Sequence, residues 1–132
     1  NKLYEKDLFD QIYLVCGKKN EKMASKIINL SKKKYFINCS NYNLVNIMAV
    51  IKKSIFFVGN NSGPLNMASA LGIKSYGLIS NDPVSELKYS NIIAITPDNY
   101  VDNVWNRDRK GMKNLTVEKA YNFIIENLKI TN

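Results

Sequence analysis

The chain has 132 residues, the size of one domain, with 45% apolar and 23% charged side chains, a globular balance that excludes a disordered tail or a collagen-like rod. It has no histidine and only two thiols, Cys16 and Cys39. That excludes Ser-His-Asp and Cys-His triads, H-E-x-x-H and four-cysteine metal sites and a secreted disulfide scaffold, and favours a reducing compartment. The net charge is +8, but 17 of the 19 basic residues are lysines, beside 19 Asn, 15 Ile and 8 Tyr; A/T-rich codons explain that bias, and with Arg107 and Arg109 the only arginines no nucleic-acid partner is inferred.

In chain order, short β-branched or aromatic runs alternate with segments of helical period. Gln11 to Cys16 predicts a strand stopped by Gly17, and Glu21 to Leu30 a helix with Met23, Ala24, Ile27, Ile28 and Leu30 on one stripe. Tyr35 to Asn38 predicts a second strand, and Leu44, Ile47, Met48 and Ile51 a second helix. Ser54 to Val58 is an apolar strand, followed by Gly59-Asn-Asn-Ser-Gly63. Pro64 to Leu71 is a short helix with proline in its first turn and Gly72 just past its end. Ser75 to Ile79 and Asn91 to Thr96 are further strands, and Pro97 to Asn114 is an irregular polar stretch carrying Trp105 and both arginines. Thr116 to Leu128 closes the chain as a helix with Val117, Ala120, Phe123, Ile124 and Leu128 on one face.

Strands without polar alternation are those of a parallel sheet covered on both faces, so the fold class is α/β, doubly wound, in one domain over residues 1–132. No apolar run is long enough to span a membrane, and no basic stretch leading into a long apolar run marks a signal peptide.

In such a sheet, ligands bind beyond the carboxyl ends of the strands. The informative segment is Phe56-Phe-Val-Gly-Asn-Asn-Ser-Gly-Pro-Leu-Asn-Met-Ala-Ser-Ala-Leu-Gly72, a strand that delivers two glycines and three small polar residues to a helix start. Gly59 and Gly63 are expected to allow turns and close backbone approach, and amides near Ser62, Gly63 and Leu65 to favour an anion. Ser62 has two readings, an extra donor to that anion or a plain N-cap.

The same segment, continued through Ile73-Lys-Ser-Tyr-Gly-Leu-Ile-Ser-Asn-Asp-Pro83, resembles the signature of glycosyltransferase family 9, the lipopolysaccharide heptosyltransferase family: G-N-D-S-G-P-x-H-L-A-A-A-L-G, then a strand ending near T-D-P. Leu14-Val-Cys-Gly17 with Glu21, Asn43-Leu44 and Leu115-Thr-Val-Glu118 extend the likeness over residues 11–128. The resemblance implies the Rossmann-like C-terminal, nucleotide-sugar half of a two-Rossmann-domain (type B) glycosyltransferase, without a cofactor or metal. Its substrate would be a nucleotide-diphosphate sugar such as ADP-heptose. Asn61, Ser62 and Gly63, with Pro64 and Asn66 on the following helix, would lie near the diphosphate and sugar. Glu21 would meet the ribose hydroxyls or simply favour its helix dipole, and Tyr42 would stack on the base or simply cover a helix start.

Two residues depart from the pattern. Asn61 stands for the family's aspartate and loses its charge; Asn66 stands for the family's histidine and cannot carry one. The acceptor domain with its general-base carboxylate and the first strand of this half are expected to be missing, with residues 1–10 the tail of the helix after that strand. No catalytic residue is then expected in this chain, which alone would bind donor without turnover. The implied whole enzyme transfers a heptose-like sugar to a lipopolysaccharide or other glycan acceptor in the bacterial cytoplasm. Peripheral contact with the inner face of the inner membrane is implied by lipid-linked acceptors. The alternative is a degenerate sugar-nucleotide fold kept as a binding or scaffold module.

Overall fold

The apolar runs pair as parallel ladders, and the segments between them form helices. A computed structural model describes residues 10–31, 35–80, 82–102 and 111–129. Its elements are β1 (Ile12–Leu14), α1 (Glu21–Ser31), β2 (Phe36–Asn38), α2 (Leu44–Lys52), β3 (Phe56–Asn60), α3 (Gly63–Ala70), β4 (Lys74–Leu78), β5 (Ile92–Ile95) and α4 (Val117–Lys129). Every strand and helix predicted within the described residues is found, most of them trimmed or shifted by one or two residues. The expected helix tail over residues 1–10 lies outside the described residues except for Asp10, and so does the arginine-bearing part of the irregular stretch, residues 103–110.

Packing divides the chain into Asn1–Val50 and Ile51–Asn132. In the first unit β1 and β2 are parallel, with Ile12 opposite Phe36 and Leu14 opposite Asn38. In the second, β3, β4 and β5 form a parallel sheet in that order. Among the described residues no ladder joins β1 to β3.

Parallel strands need crossovers, and α3, the crossover from β3 to β4, covers one face of the sheet. Gly77 lies beneath α3: a Cβ there would meet Leu65 Cδ2 at 3.2 Å, Ile79 Cδ1 at 3.2 Å and Ile92 Cγ2 at 3.1 Å. Leu65, Ile79 and Ile92 form the buried core on that face. Side chains alternate along a strand, so Lys74 and Tyr76 face the other way. There Lys74 Nζ donates to the Asn127 carbonyl of α4 at 2.8 Å, and the Tyr76 ring meets Phe56 edge-on with centroids 5.8 Å apart. Ser69 Oγ hydrogen-bonds Asn91 Oδ1, and Asn91 Nδ2 donates to the Ser69 carbonyl at 3.0 Å, tying α3 to the turn before β5.

The ends of the helices follow local chemistry. Asn43 Oδ1 accepts from the Asn46 amide at 2.9 Å and opens α2, and Thr116 Oγ1 accepts from the Lys119 amide at 3.1 Å and opens α4. Gly72, at φ 76°, ends α3 in the left-handed region expected of a residue just past a helix.

The glycines before α3 behave differently from expectation. β3 runs two residues further than predicted, so Gly59 lies inside the strand, where a Cβ would sit 2.7 Å from the Phe57 ring. Gly63 has open space, with Met67 Cε the nearest atom at 3.8 Å. The α1 stripe also divides. Ala24 is buried at 3% exposure, whereas Met23, Ile27 and Leu30 are 63%, 43% and 72% exposed.

Burial raises the Tyr76 hydroxyl above its ordinary value of 10.0 and, with the nearby Cys16, raises the Cys39 thiol above 9.0. Tyr100 is likewise raised above 10.0, first by burial and then by its hydrogen bond to Asp102. Folding therefore favours the protonated form of all three. Their contribution is complete below the ordinary thiol and phenol values and is lost as pH rises through the folded ones. The thermal midpoint should hold steady from neutral pH to about 9 and fall above it; replacing Tyr76 and Tyr100 with Phe should flatten that fall.

Candidate functional site

Two loop clusters sit at carboxyl ends of parallel strands, one in each unit. In the second unit β3 ends at Asn60, and α3 starts three residues later. Ser62 is extended at φ −160°, ψ 170°, but its hydroxyl donates back to the Asn60 carbonyl at 3.0 Å. Among the described residues no side chain caps α3, and Pro64 in its first turn has no N–H to offer. The N-cap reading of Ser62 is therefore not what the hydroxyl does. Among the described residues the amides of Gly63 and Leu65 have no side-chain acceptor, at the end of the helix where the dipole is positive.

Asn61 is tied across to the loop after β4, its Nδ2 donating to Asp82 Oδ2 at 2.8 Å. A carboxylate can only accept, so the amide nitrogen faces Asp82 and the Asn61 carbonyl oxygen is turned away from it. Asp82 is held from its other side: the Tyr100 hydroxyl lies 2.9 Å from both the Asp82 carbonyl and Asp102 Oδ1. The Val84 amide donates to Asp102 Oδ1 at 2.7 Å and to the Tyr100 oxygen at 2.8 Å. Asn66 folds back on its own helix, with Nδ2 3.1 Å from the Ser62 carbonyl.

In the first unit, Glu21 opens α1 and accepts from Asn41 Nδ2 at 2.9 Å. Tyr42 follows with an exposed ring, and its amide donates to the Cys39 carbonyl at 3.0 Å. Cys39 is fully buried with a raised thiol, the opposite of an activated nucleophile. Each cluster also holds a buried serine hydroxyl with no partner among the described residues, Ser40 in the first and Ser80 in the second. Such groups are rare and call for a water or ligand partner.

The expected site residues thus fall into two sets. Asn61, Ser62, Gly63, Pro64 and Asn66 come together at the start of α3, while Glu21 and Tyr42 belong to the first unit. Two further residues organise them. Asp82, inside the Asn81-Asp82-Pro83 stretch, carried a sequence signal as the acid of a loop after a strand. Asn41 carried none, because its pairing with Glu21 joins positions 20 residues apart. Among the described residues no three His, Cys, Asp or Glu side chains cluster closely enough to hold a metal ion. No described helix is long and apolar enough to cross a membrane.

The model of glycosyltransferase family 9 (heptosyltransferase) matches residues 2–119 of the chain. No curated protein and no solved structure matches it.

The Asn61–Asp82 contact makes asparagine the compatible residue at position 61. Asn61→Asp would set two carboxylates face to face, disfavouring ionisation of one of them. At neutral pH this variant should be less stable than the native chain by about 1 kcal/mol, since the pair is partly solvent-exposed. Its raised carboxyl is protonated in acid, so the deficit should shrink towards pH 4. Thermal midpoints of both proteins across pH 4–8 check this, and a deficit that is constant with pH would dismiss the like-charge explanation.

Proposed function

Because the chain belongs to glycosyltransferase family 9, we propose that it is the donor-binding part of an enzyme moving a heptose-like sugar from a nucleotide diphosphate to a lipopolysaccharide or other glycan acceptor. The observation that carries this reading is the uncapped start of α3 beyond a parallel sheet, with Ser62 turned back and Asn61 anchored to Asp82. Diphosphate oxygens would accept from the Gly63 and Leu65 amides, where the helix dipole favours negative charge. The carbonyl oxygen of Asn61 would accept from a sugar hydroxyl. Glu21, held by Asn41, would accept from the ribose hydroxyls, and the exposed Tyr42 ring would stack on the base, adenine if the donor is ADP-heptose.

In the reaction the acceptor oxygen forms a bond to the anomeric carbon as the bond from that carbon to the diphosphate breaks, inverting the configuration. The leaving diphosphate keeps the electron pair, and the α3 start stabilises its charge. A carboxylate on an acceptor domain outside this chain takes the acceptor's proton. No metal or other cofactor has a role in this scheme. The enzyme works in the bacterial cytoplasm, and this chain by itself binds donor without turning it over.

A second reading draws support from Asn61 and Asn66, whose side-chain amides are both engaged within the protein. It takes the chain as a sugar-nucleotide fold that binds without catalysis in any context.

Calorimetric titration with ADP-, UDP- and GDP-sugars should reveal one preferred donor. Gly63→Val should weaken it by at least about tenfold, a loss of roughly 1.4 kcal/mol, while the room around Gly63 leaves the thermal midpoint close to native. Unchanged affinity in that variant would clear the loop of any role. Turnover of a donor by a longer form carrying an acceptor domain would eliminate the non-catalytic reading.

A further inference from the structure

Asn61 stands on an exposed loop, yet one end of its amide is already taken. With Nδ2 on Asp82 Oδ2 at 2.8 Å, the side chain shows its carbonyl oxygen beyond the start of α3. An asparagine free to rotate would present donor and acceptor in turn, and a sugar hydroxyl would meet no fixed acceptor. Whatever holds Asp82 therefore holds that oxygen in place.

Asp82 is pinned through its backbone. Its carbonyl oxygen lies 2.9 Å from the Tyr100 hydroxyl, and the next residue, Pro83, is fully buried with φ at −60°. The Val84 amide donates to Asp102 Oδ1 at 2.7 Å and to the Tyr100 oxygen at 2.8 Å. Tyr100 thus meets both ends of the loop 82–84. Its own segment is anchored in turn: the Tyr100 amide donates to the Pro97 carbonyl at 3.1 Å, and Asp98 pairs with Lys119 of α4.

The Tyr100 ring closes a circuit. Tyr100 and Val84 both pack against the core of Leu65, Ile79 and Ile92, and Leu65 lies in the first turn of α3. From Leu65 the contacts run through the Tyr100 ring and hydroxyl to Asp82 and then to Asn61, which returns along the chain to α3. The links differ in kind, since the ring contributes packing and the hydroxyl a hydrogen bond. Removing the hydroxyl alone opens the circuit, and it leaves the Val84 amide its second acceptor, Asp102.

We propose that Tyr100 is a positioning residue for the sugar of the donor: through Asp82 it keeps the Asn61 carbonyl oxygen turned towards the sugar hydroxyls. It acts on the sugar and not on the diphosphate, whose place is set by the α3 amides. This rests on the donor-site reading and adds the residue that separates recognition of the sugar from recognition of the nucleotide.

Calorimetry of the full chain with ADP-heptose and ADP-glucose against ADP, UDP-glucose against UDP and GDP-mannose against GDP measures the affinity that the sugar adds. In Tyr100→Phe that increment should fall about fivefold, the effect of one hydrogen bond, with the affinity for the bare diphosphate unchanged. Asp82→Ala should lose a comparable amount, and the double variant no more than Asp82→Ala alone, as expected of residues acting in series. The side-chain amide resonances of Asn61, identified by their absence in Asn61→Ala, should shift in Tyr100→Phe. Circular dichroism should stay native, because the ring remains on the core. An unmoved Asn61 signal, an unmoved sugar increment, equal losses for sugar and bare diphosphate, or additive losses in the double variant would each overturn the positioning role while the donor-site reading stands. A native chain that binds no nucleotide sugar more tightly than its bare diphosphate would instead overturn the sugar contact of Asn61, and this proposal with it.

Discussion

The second unit depends on one close approach, that of Leu65 to Gly77. With no side chain at position 77, α3 settles against the sheet and buries Leu65 between Ile79 and Ile92. Helix depth then fixes helix start. Because α3 lies flat on β4 and leaves β3 by a two-residue link, its amino terminus has one place to be, just past the carboxyl end of β3. The backbone donors of its first turn are therefore displayed by packing, with no need for a dedicated binding loop. A protein interior tolerates little rearrangement of such a contact, which makes the position of those donors as firm as the core itself.

Electrostatics around that start are arranged by neutral and charged partners in alternation. The Asn61 amide meets the Asp82 carboxylate, and the Tyr100 hydroxyl meets Asp102. Each of the two carboxylates faces a hydrogen-bond donor beside the start of α3. An aspartate at position 61 would crowd a third charge into the same loops. The asparagine is therefore coupled to its surroundings, and its meaning for activity cannot be taken from a one-residue comparison with the family pattern. Asn66 differs: its amide serves only its own helix, and the proton-carrying capacity of a histidine has no substitute among the described neighbours.

The two units use their exposed surface differently. In the second, three lysines are put to structural use, Lys52 on the Leu71 carbonyl, Lys74 on the Asn127 carbonyl and Lys119 against Asp98. In the first, the α1 lysines stand unengaged beside apolar side chains that no described residue covers. The contrast lies in where the charges are used, and the overall composition hides it.

Much was legible in the sequence because it is written in local chemistry. Period, proline and glycine positions and β-branched runs placed the strands β1–β5 and the helices α1–α4, and the glycine-serine-proline segment marked the loop and its family. The left-handed Gly72 and the caps at Asn43 and Thr116 are equally local, since each depends on residues within a few positions. What tertiary structure decided were relations between distant segments: that Ser62 bonds the strand behind it, that Asp82 holds Asn61 and Asn41 holds Glu21, and that α1 buries Ala24 while exposing Met23, Ile27 and Leu30. A helical wheel gives the width of an apolar face, but only the neighbouring strands determine how much of it they can reach.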